Sequence, residues 1–379
     1  MDTLTSPFGD YHLSRWPVRD KDELRAWNAA DELLLQHVHQ HIGSDQLSNR
    51  RILVVNDEFG ALGTVLGAYD VTHWSDSFIA QQALEHNCGA NAIDTTPACV
   101  GSLEPLAAKF DLVLIKVPKT TALLEDQLHR LKPHLQANAV VVAGAMVKHL
   151  QRSAFDVFEK LLGPVTTSLS EKKARLLFVA LDDTLDSGNN PYPTTYNDRQ
   201  VGFPLVNHAN LFSRDHLDLG ARFLITQIGD IKPFDSVTDL GCGNGVLGIV
   251  YAQKHPSAAV HFIDESYMAI ASAMENVKRA KPEIHGQVTF TAGDGLSDTP
   301  DNSTGLILCN PPFHQQHVVG DSVGTRMIQH AKRVLQQHGE IWLVANRQLN
   351  YQVRLKRLFG NCRKVDSNAK FVVLKAIKR

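Results

Sequence analysis

Short runs of β-branched and aliphatic residues alternate with longer, helix-patterned stretches along most of the chain. In the first half, Ile52–Val55, Leu112–Val117, Val140–Ala143 and Leu176–Ala180 are predicted strands, with Phe78–His86 a predicted helix among them. The rhythm returns in Val237–Leu240, Val260–Asp264, Leu306–Cys309, Glu340–Ala345 and Phe371–Ala376. Strands that alternate with helices predict βαβ units and a mainly parallel sheet, because a parallel connection must cross back over the sheet face. Between the halves, residues 182–200 carry polar turn formers and two prolines without apolar periodicity, the composition of a linker.

The halves also align with each other. ILVVNDEFGALGTVL lies over VTDLGCGNGVLGIVY with Gly60 on Gly245, an offset of 185 (245 − 60). Ser77-Phe78 falls on Ser266-Tyr267, Leu112-Val113-Leu114 on Leu306-Ile307-Leu308, Pro118 on Pro312, and Lys173-Ala174-Arg175 on Asn368-Ala369-Lys370. The offset grows slowly from 185 to 195 (369 − 174), as small loop insertions would make it. The expectation is an α/β chain of two tandem, doubly wound, Rossmann-like domains produced by internal duplication. The expected boundaries are 1–185 for the first domain, 186–200 for the linker and 201–379 for the second.

Composition narrows the class. Of the 379 residues, 43% are hydrophobic and 21% charged, so a mainly disordered chain is excluded. No apolar run reaches the roughly 20 residues of a membrane span. The first residues lack a basic segment followed by an apolar one, so no secretory signal is expected. The five cysteines are scattered without a CxxC pair, which argues against a zinc site or a disulfide framework. A soluble, reduced, cytoplasmic protein is the expectation. The net charge of −2 hides an asymmetry: residues 1–190 hold 17 basic and 24 acidic residues, and residues 191–379 hold 21 and 16. From Arg347 to Arg379 there are 10 basic residues and one acid, Asp366, a pattern equally suited to a solvated face or to phosphate contact.

The chemistry concentrates in the second half. Val237–Val250 reads as strand, glycine turn, helix. Gly241, Gly243 and Gly245 allow a sharp bend and close ligand approach, with Asp239, Cys242 and Asn244 in the same loop. The spacing is not the GxGxxG of a pyrophosphate site, and no phosphate-binding P-loop is present. The next strand ends in Asp264, 19 residues after Gly245 (264 − 245), where a carboxylate can accept both hydroxyls of a ribose. Asp294, after a third short strand, is a candidate acceptor for an adenine amino group. Leu306–His314 then runs a buried strand into Asn310-Pro311-Pro312-Phe313. Prolines explain the end of a strand, but not an Asn before them and an aromatic after.

This order of motifs resembles the class I S-adenosylmethionine-dependent methyltransferases, in which NPPF marks methylation of an exocyclic amine or a planar amide nitrogen. The tandem arrangement resembles the bacterial ribosomal RNA guanine-N2 methyltransferases of the RsmC/RlmG type over essentially the whole chain, with the likeness closest to the large-subunit (23S) RlmG branch. The resemblance implies S-adenosyl-L-methionine as cofactor and a guanine N2 amine of 23S rRNA, free or in an assembly intermediate, as acceptor. It implies Asn310, Pro311, Pro312 and Phe313 as catalytic residues. Asp239, Gly241, Cys242, Gly243, Asn244, Gly245, Asp264 and Asp294 would line the cofactor pocket, with Phe212 and Ser213 at its edge. A 16S rRNA guanine-N2 enzyme and a protein glutamine-amide methyltransferase are the alternatives, and a non-catalytic RNA-binding module a third. A monomer without membrane association is expected.

The first half departs at each of these positions. Gly241 and Gly243 are matched by Asn56 and Glu58, Asp264 by Ser75, and NPPF by Lys116-Val117-Pro118-Lys119. A kept fold with a lost site is expected there. Lys116 and Lys119 are candidate phosphate contacts, as are Arg354, Lys356 and Arg357 near the end of the chain. His37 and His41 have the spacing of helical metal ligands but no third ligand nearby, so a polar helix surface and no metal are expected.

Overall fold

The structure is a computed structural model that describes residues 1–18, 24–280, 284, 286–312 and 318–379. The chain divides into two compact units, Met1–Tyr192 and Pro193–Arg379. Each unit contains one seven-stranded sheet.

In the first unit the strands are Arg51–Val55 (β1), Asp70–Ser75 (β2), Ala98–Gly101 (β3), Phe110–Lys116 (β4), Leu135–Met146 (β5), Val165–Thr167 (β6) and Ala174–Val179 (β7). In the second they are Ser236–Leu240 (β8), Ala259–Asp264 (β9), Val288–Ala292 (β10), Thr304–Cys309 (β11), Leu335–Asn346 (β12), Arg363–Ser367 (β13) and Phe371–Ile377 (β14). The sheet orders are β3-β2-β1-β4-β5-β7-β6 and β10-β9-β8-β11-β12-β14-β13, the same topology twice. In both, all pairs are parallel except those made by the last two strands, which are antiparallel.

The duplication extends to register. Ile52 faces Leu112 in one sheet and Val237 faces Leu306 in the other, giving offsets of 185 (237 − 52) and 194 (306 − 112). The irregularity of β4 against β5 recurs in β11 against β12. The partners of Phe110 and Leu112 are Leu135 and Val140, and those of Thr304 and Leu306 are Leu335 and Glu340. The central strands carry continuous apolar runs because both faces are covered: Leu112–Leu114 and Leu306–Cys309 are wholly buried. Strand order reverses between β8 and its two neighbours, β9 and β11, and the crevice outside the carboxyl ends of such strands is where open α/β sheets bind ligands.

The expected linker, 186–200, is not a free tether. Lys132 Nζ donates to Leu185 O (2.7 Å) and Ser187 Oγ (2.6 Å), Asn190 Nδ2 to Asp126 (2.7 Å), and Tyr192 OH to Glu125 (2.9 Å), so residues up to 192 are fastened to the first unit. Thr194–Asn197 then pairs antiparallel with Pro204–Asn207 as a hairpin of the second unit. Polar side chains hold this segment, and apolar periodicity does not register them. Among the described residues no helix is long and apolar enough to cross a membrane.

Candidate active site

The turn after β8 is built from three left-handed glycines, Gly241 (φ 68°), Gly243 (φ 53°) and Gly245 (φ 80°). Gly245 starts the helix Val246–Lys254, and a Cβ on it would meet Ala273 and Phe262 at 3.0 and 3.2 Å, so helix and sheet pack too closely for a side chain. Gly243 differs. Among the described residues no atom lies within 4 Å of where its Cβ would be, which leaves room for a ligand against this backbone. The N–H groups of Gly241 and Cys242 both donate to Ile263 O (2.9 and 3.0 Å), which pins the loop to the end of β9.

Asp239 is buried at the end of β8. One oxygen accepts the Gly248 N–H at 2.8 Å; the other, Oδ1, is buried and has no hydrogen-bond partner among the described residues. Burial, with the nearby Asp264 charge adding to it against the Gly248 hydrogen bond, raises its pKa to about 8. Asp264 ends β9, where its carboxylate accepts from Gly243 N (2.9 Å) and Ser266 N (3.1 Å), an arrangement that fixes its plane beside the glycine turn. An orphaned buried oxygen, an open glycine backbone and an oriented strand-end carboxylate fit a nucleoside-type methyl donor. Cys242 and the strand-end Cys309 are buried and their thiols are pushed up by burial, so neither offers a thiolate.

Two expected donor contacts have other partners. Asp294 is buried in a two-point ion pair with Arg326 (2.5 and 3.0 Å), a residue the sequence did not single out. Its carboxylate is therefore oriented by the helix Val318–Val334, which also places Met327 beside Gly241. The Asn244 side chain turns to the hairpin, reaching Asn207 (3.1 Å) and Tyr196 (3.4 Å), while its carbonyl accepts from Asn276 (3.0 Å). These bonds hold the loop. Ser213 sits at φ 55° with its hydroxyl donating to His216 O (3.0 Å), and Phe212 is 61% exposed.

Asn310 follows β11 directly. Its Nδ2 donates to Asp218 Oδ2 at 2.9 Å, and the same oxygen accepts the Ala221 N–H at 2.8 Å as the cap of the helix Leu219–Ile225. The carboxylate can only accept, so it draws the amide nitrogen and leaves Asn310 Oδ1 buried and, among the described residues, without a partner. A buried acceptor left unfilled is one that an incoming donor can satisfy. Pro311 is buried and Pro312 exposed; Phe313 and the neighbouring His314 and His317 lie outside the described residues.

The first unit keeps the scaffold and alters the chemistry. Asn56 takes the left-handed conformation of Gly241 (φ 60°), which Asn tolerates, and Gly60 (φ 73°) keeps the helix-starting role of Gly245. Val54 stands at the Asp239 position, and Asp57 from the loop accepts the N–H of Ala61 (3.0 Å) and Gly63 (2.9 Å) instead. Burial, then the adjoining Asp31 charge, raises the Asp57 pKa to about 7.

Lys116, at the Asn310 position and expected to contact phosphate, is engaged within the protein. Its Nζ is 2.5 Å from Asp31 Oδ1, and the two side chains are 12% and 2% exposed. Burial lowers the Lys116 pKa, but Asp31, with Asp57 behind it, outweighs burial and the net displacement is upward. Asp31 lies in the first turn of the helix Ala29–His41, as Asp218 caps Leu219–Ile225. Both halves thus bond the residue after or ending the fourth strand to an acid at the start of a preceding helix. An amine that neutralises the acid replaces the amide that leaves an acceptor open.

Lys119, Lys356 and Arg357 are exposed. Arg354 is not equivalent to Arg357: its guanidinium donates to Thr325 Oγ1 (2.7 Å) and lies over the Tyr351 ring (5.6 Å). Among the described residues no group of three or more His, Cys, Asp or Glu is placed to hold a metal ion, and the His37 and His41 rings stack 4.4 Å apart.

Fold and site together define a class I methyltransferase. Residues 1–183 match the RLMG N-terminal domain and residues 202–375 the methyltransferase small domain. The chain is 47% identical to a ribosomal RNA large subunit methyltransferase G of Ectopseudomonas mendocina and 43% identical to one of Streptomyces avermitilis, each over 100% of both chains. A solved structure, the T. thermophilus 16S rRNA N2 G1207 methyltransferase (RsmC) in complex with AdoMet and guanosine, superposes with a TM-score of 0.79 at 20% identity, covering 100% of this chain and 98% of that one. The chain belongs to the ribosomal RNA large subunit methyltransferase G family, whose members use S-adenosyl-L-methionine.

Proposed function

We propose that the protein methylates the exocyclic N2 amine of one guanine in 23S rRNA. The observation that carries this reading is the Asn310 amide, fixed by Asp218 with its oxygen buried and unfilled. A guanine N2 lone pair is delocalised into the ring, so the amine is a poor nucleophile. Asn310 Oδ1 and the Pro311 carbonyl are the acceptors for its two hydrogens, drawing the nitrogen toward tetrahedral and aiming the lone pair. Such acceptors act on charge that develops in the transition state. S-adenosylmethionine supplies the methyl: a C–N bond forms as the C–S bond breaks, its electron pair leaves with sulfur, and the ammonium gives a proton to water. Asp239, Gly241, Gly243 and Asp264 hold the donor, and Asp294, oriented by Arg326, faces its adenine. The target base enters unpaired or flipped, since N2 of a paired guanine lies in the minor groove.

Residues 1–185 hold RNA backbone or support the second domain. Lys356, Arg357 and Lys119 are the phosphate contacts in this reading, and the protein works as a cytoplasmic monomer. The test is transfer from methyl-labelled donor by the full chain to deproteinised rRNA, followed by nucleoside digestion. Label in N2-methylguanosine from large-subunit RNA is expected. Label confined to small-subunit RNA, to N6-methyladenosine or to a protein glutamine would refute it.

A further inference from the structure

From the geometry around Asn310 we infer that Asp218 is the residue that selects guanine, by accepting its N1–H. This deepens the guanine-N2 reading above and rests on it. An Asn-Pro-Pro-aromatic turn recognises an exocyclic amine, which adenine and guanine both carry. The two bases differ in the ring atom next to that amine. Guanine presents N1–H, a donor; adenine presents an unprotonated N1, an acceptor. A site for guanine therefore needs a second acceptor adjacent to the one for the amine.

Asp218 is placed to supply it. Its Oδ2 is committed twice, to Asn310 Nδ2 (2.9 Å) and to the Ala221 N–H (2.8 Å). Its Oδ1 makes no hydrogen bond among the described residues, and the residue is half-buried. The bond from Asn310 Nδ2 joins the side chain that carries this oxygen to the one that carries the unfilled Asn310 Oδ1. The two acceptors together match the N1–H and N2–H of guanine, and a carboxylate oxygen opposes the N1 lone pair of adenine. A site built to hydrogen-bond a donor rejects an analogue that lacks it, because its acceptor is left unpaired. The first unit differs: there Asn28 caps the corresponding helix, and Lys116 ion-pairs with Asp31 in its first turn, so that acid's charge is already answered.

The experiment uses the full chain and a synthetic RNA spanning the guanine mapped by the rRNA digestion, made with either guanine or 2,6-diaminopurine at that one position. Diaminopurine keeps the N2 amine and replaces N1–H by a lone pair. The wild-type protein should prefer guanine by roughly 10- to 100-fold in kcat/KM, the scale of one hydrogen bond to a charged group. Asp218→Asn supplies the diagnostic. The two N–H donors that meet Oδ2 draw the new amide oxygen to the same place, so an NH2 donor replaces Oδ1. Activity on guanine should fall and that on diaminopurine should rise, narrowing or reversing the preference. A role confined to orienting Asn310 would lower both substrates equally and keep the ratio, which would overturn the inference. Equal use of both RNAs by the wild type would overturn it too, whether or not the variant folds. Absence of N2-methylguanosine from the guanine RNA would instead overturn the guanine-N2 reading itself.

Discussion

Replacing Lys116 with Met removes the ammonium from a pair whose members are 12% and 2% exposed and 2.5 Å apart. Breaking a buried pair by deleting one partner costs about 3–5 kcal/mol, because the survivor is left charged and desolvated. Asp31 keeps one other bond, from the Asn28 N–H at 2.8 Å, so the lower end, about 3 kcal/mol, is expected. For a unit of this size that lowers its transition by roughly 6–12 °C. Scanning calorimetry of the full chain reads this. Adding Asp31→Asn removes the stranded charge and should restore most of the loss, since Asn still accepts from Asn28. The affinity for rRNA at fixed salt should be unchanged in both variants where the first unit remains folded. A Lys116→Met protein that is as stable as wild type but binds rRNA more weakly, with a shallower salt dependence, would refute the ion-pair account and return Lys116 to the RNA.

Calorimetric titration of the full chain with S-adenosylmethionine should give one donor per chain, and Asp264→Ala should weaken it by roughly 10- to 100-fold, the worth of charge-assisted hydrogen bonds; two sites per chain would contradict a donor pocket confined to the second unit. The pKa of Asp239, raised by burial to about 8, makes the folded state bind a proton more tightly than the unfolded one, so its contribution to stability declines as pH rises from about 4 to 8. The stability difference between wild type and Asp239→Asn should shift against the wild type across that window, and a difference independent of pH would show that Asp239 is ionised throughout. Neutralising Lys356 and Arg357 should flatten the log–log salt dependence of rRNA binding by about 0.7 for each phosphate that is no longer neutralised, without changing donor affinity. Arg354→Ala, whose charge is engaged by Thr325 and Tyr351, should change that slope less.

The tandem fold was legible because its central strands are buried on both faces and therefore read as unbroken apolar runs. The drifting offset between halves reappears as register, at Ile52 on Leu112 and Val237 on Leu306. Edge strands were not legible: Arg363–Ser367 is mostly polar and solvent-facing, and Val165–Thr167 is only three residues long. Glycines declared the turn after β8 because only they take its left-handed angles freely, and the exception at the matching turn of the first unit, Asn56, is a side chain that tolerates them. The bonds that set the chemistry were invisible. Asp218 and Asn310 are 92 positions apart, Asp31 and Lys116 85, and Asp294 and Arg326 32, and no local spacing signals a pair that the topology alone brings together. That is why Lys116 reads as a surface lysine in sequence and is a buried one in the fold.

The central claim is that Asn310 orients the acceptor amine in the transition state. Single-turnover methyl transfer at saturating donor and RNA tests it most directly, with Asn310→Ala set against the wild type. The account predicts that the variant binds donor with unchanged affinity while transfer slows by roughly 100-fold or more, the scale of losing one preorganised polar group. Transfer at a near-normal rate by Asn310→Ala would contradict it.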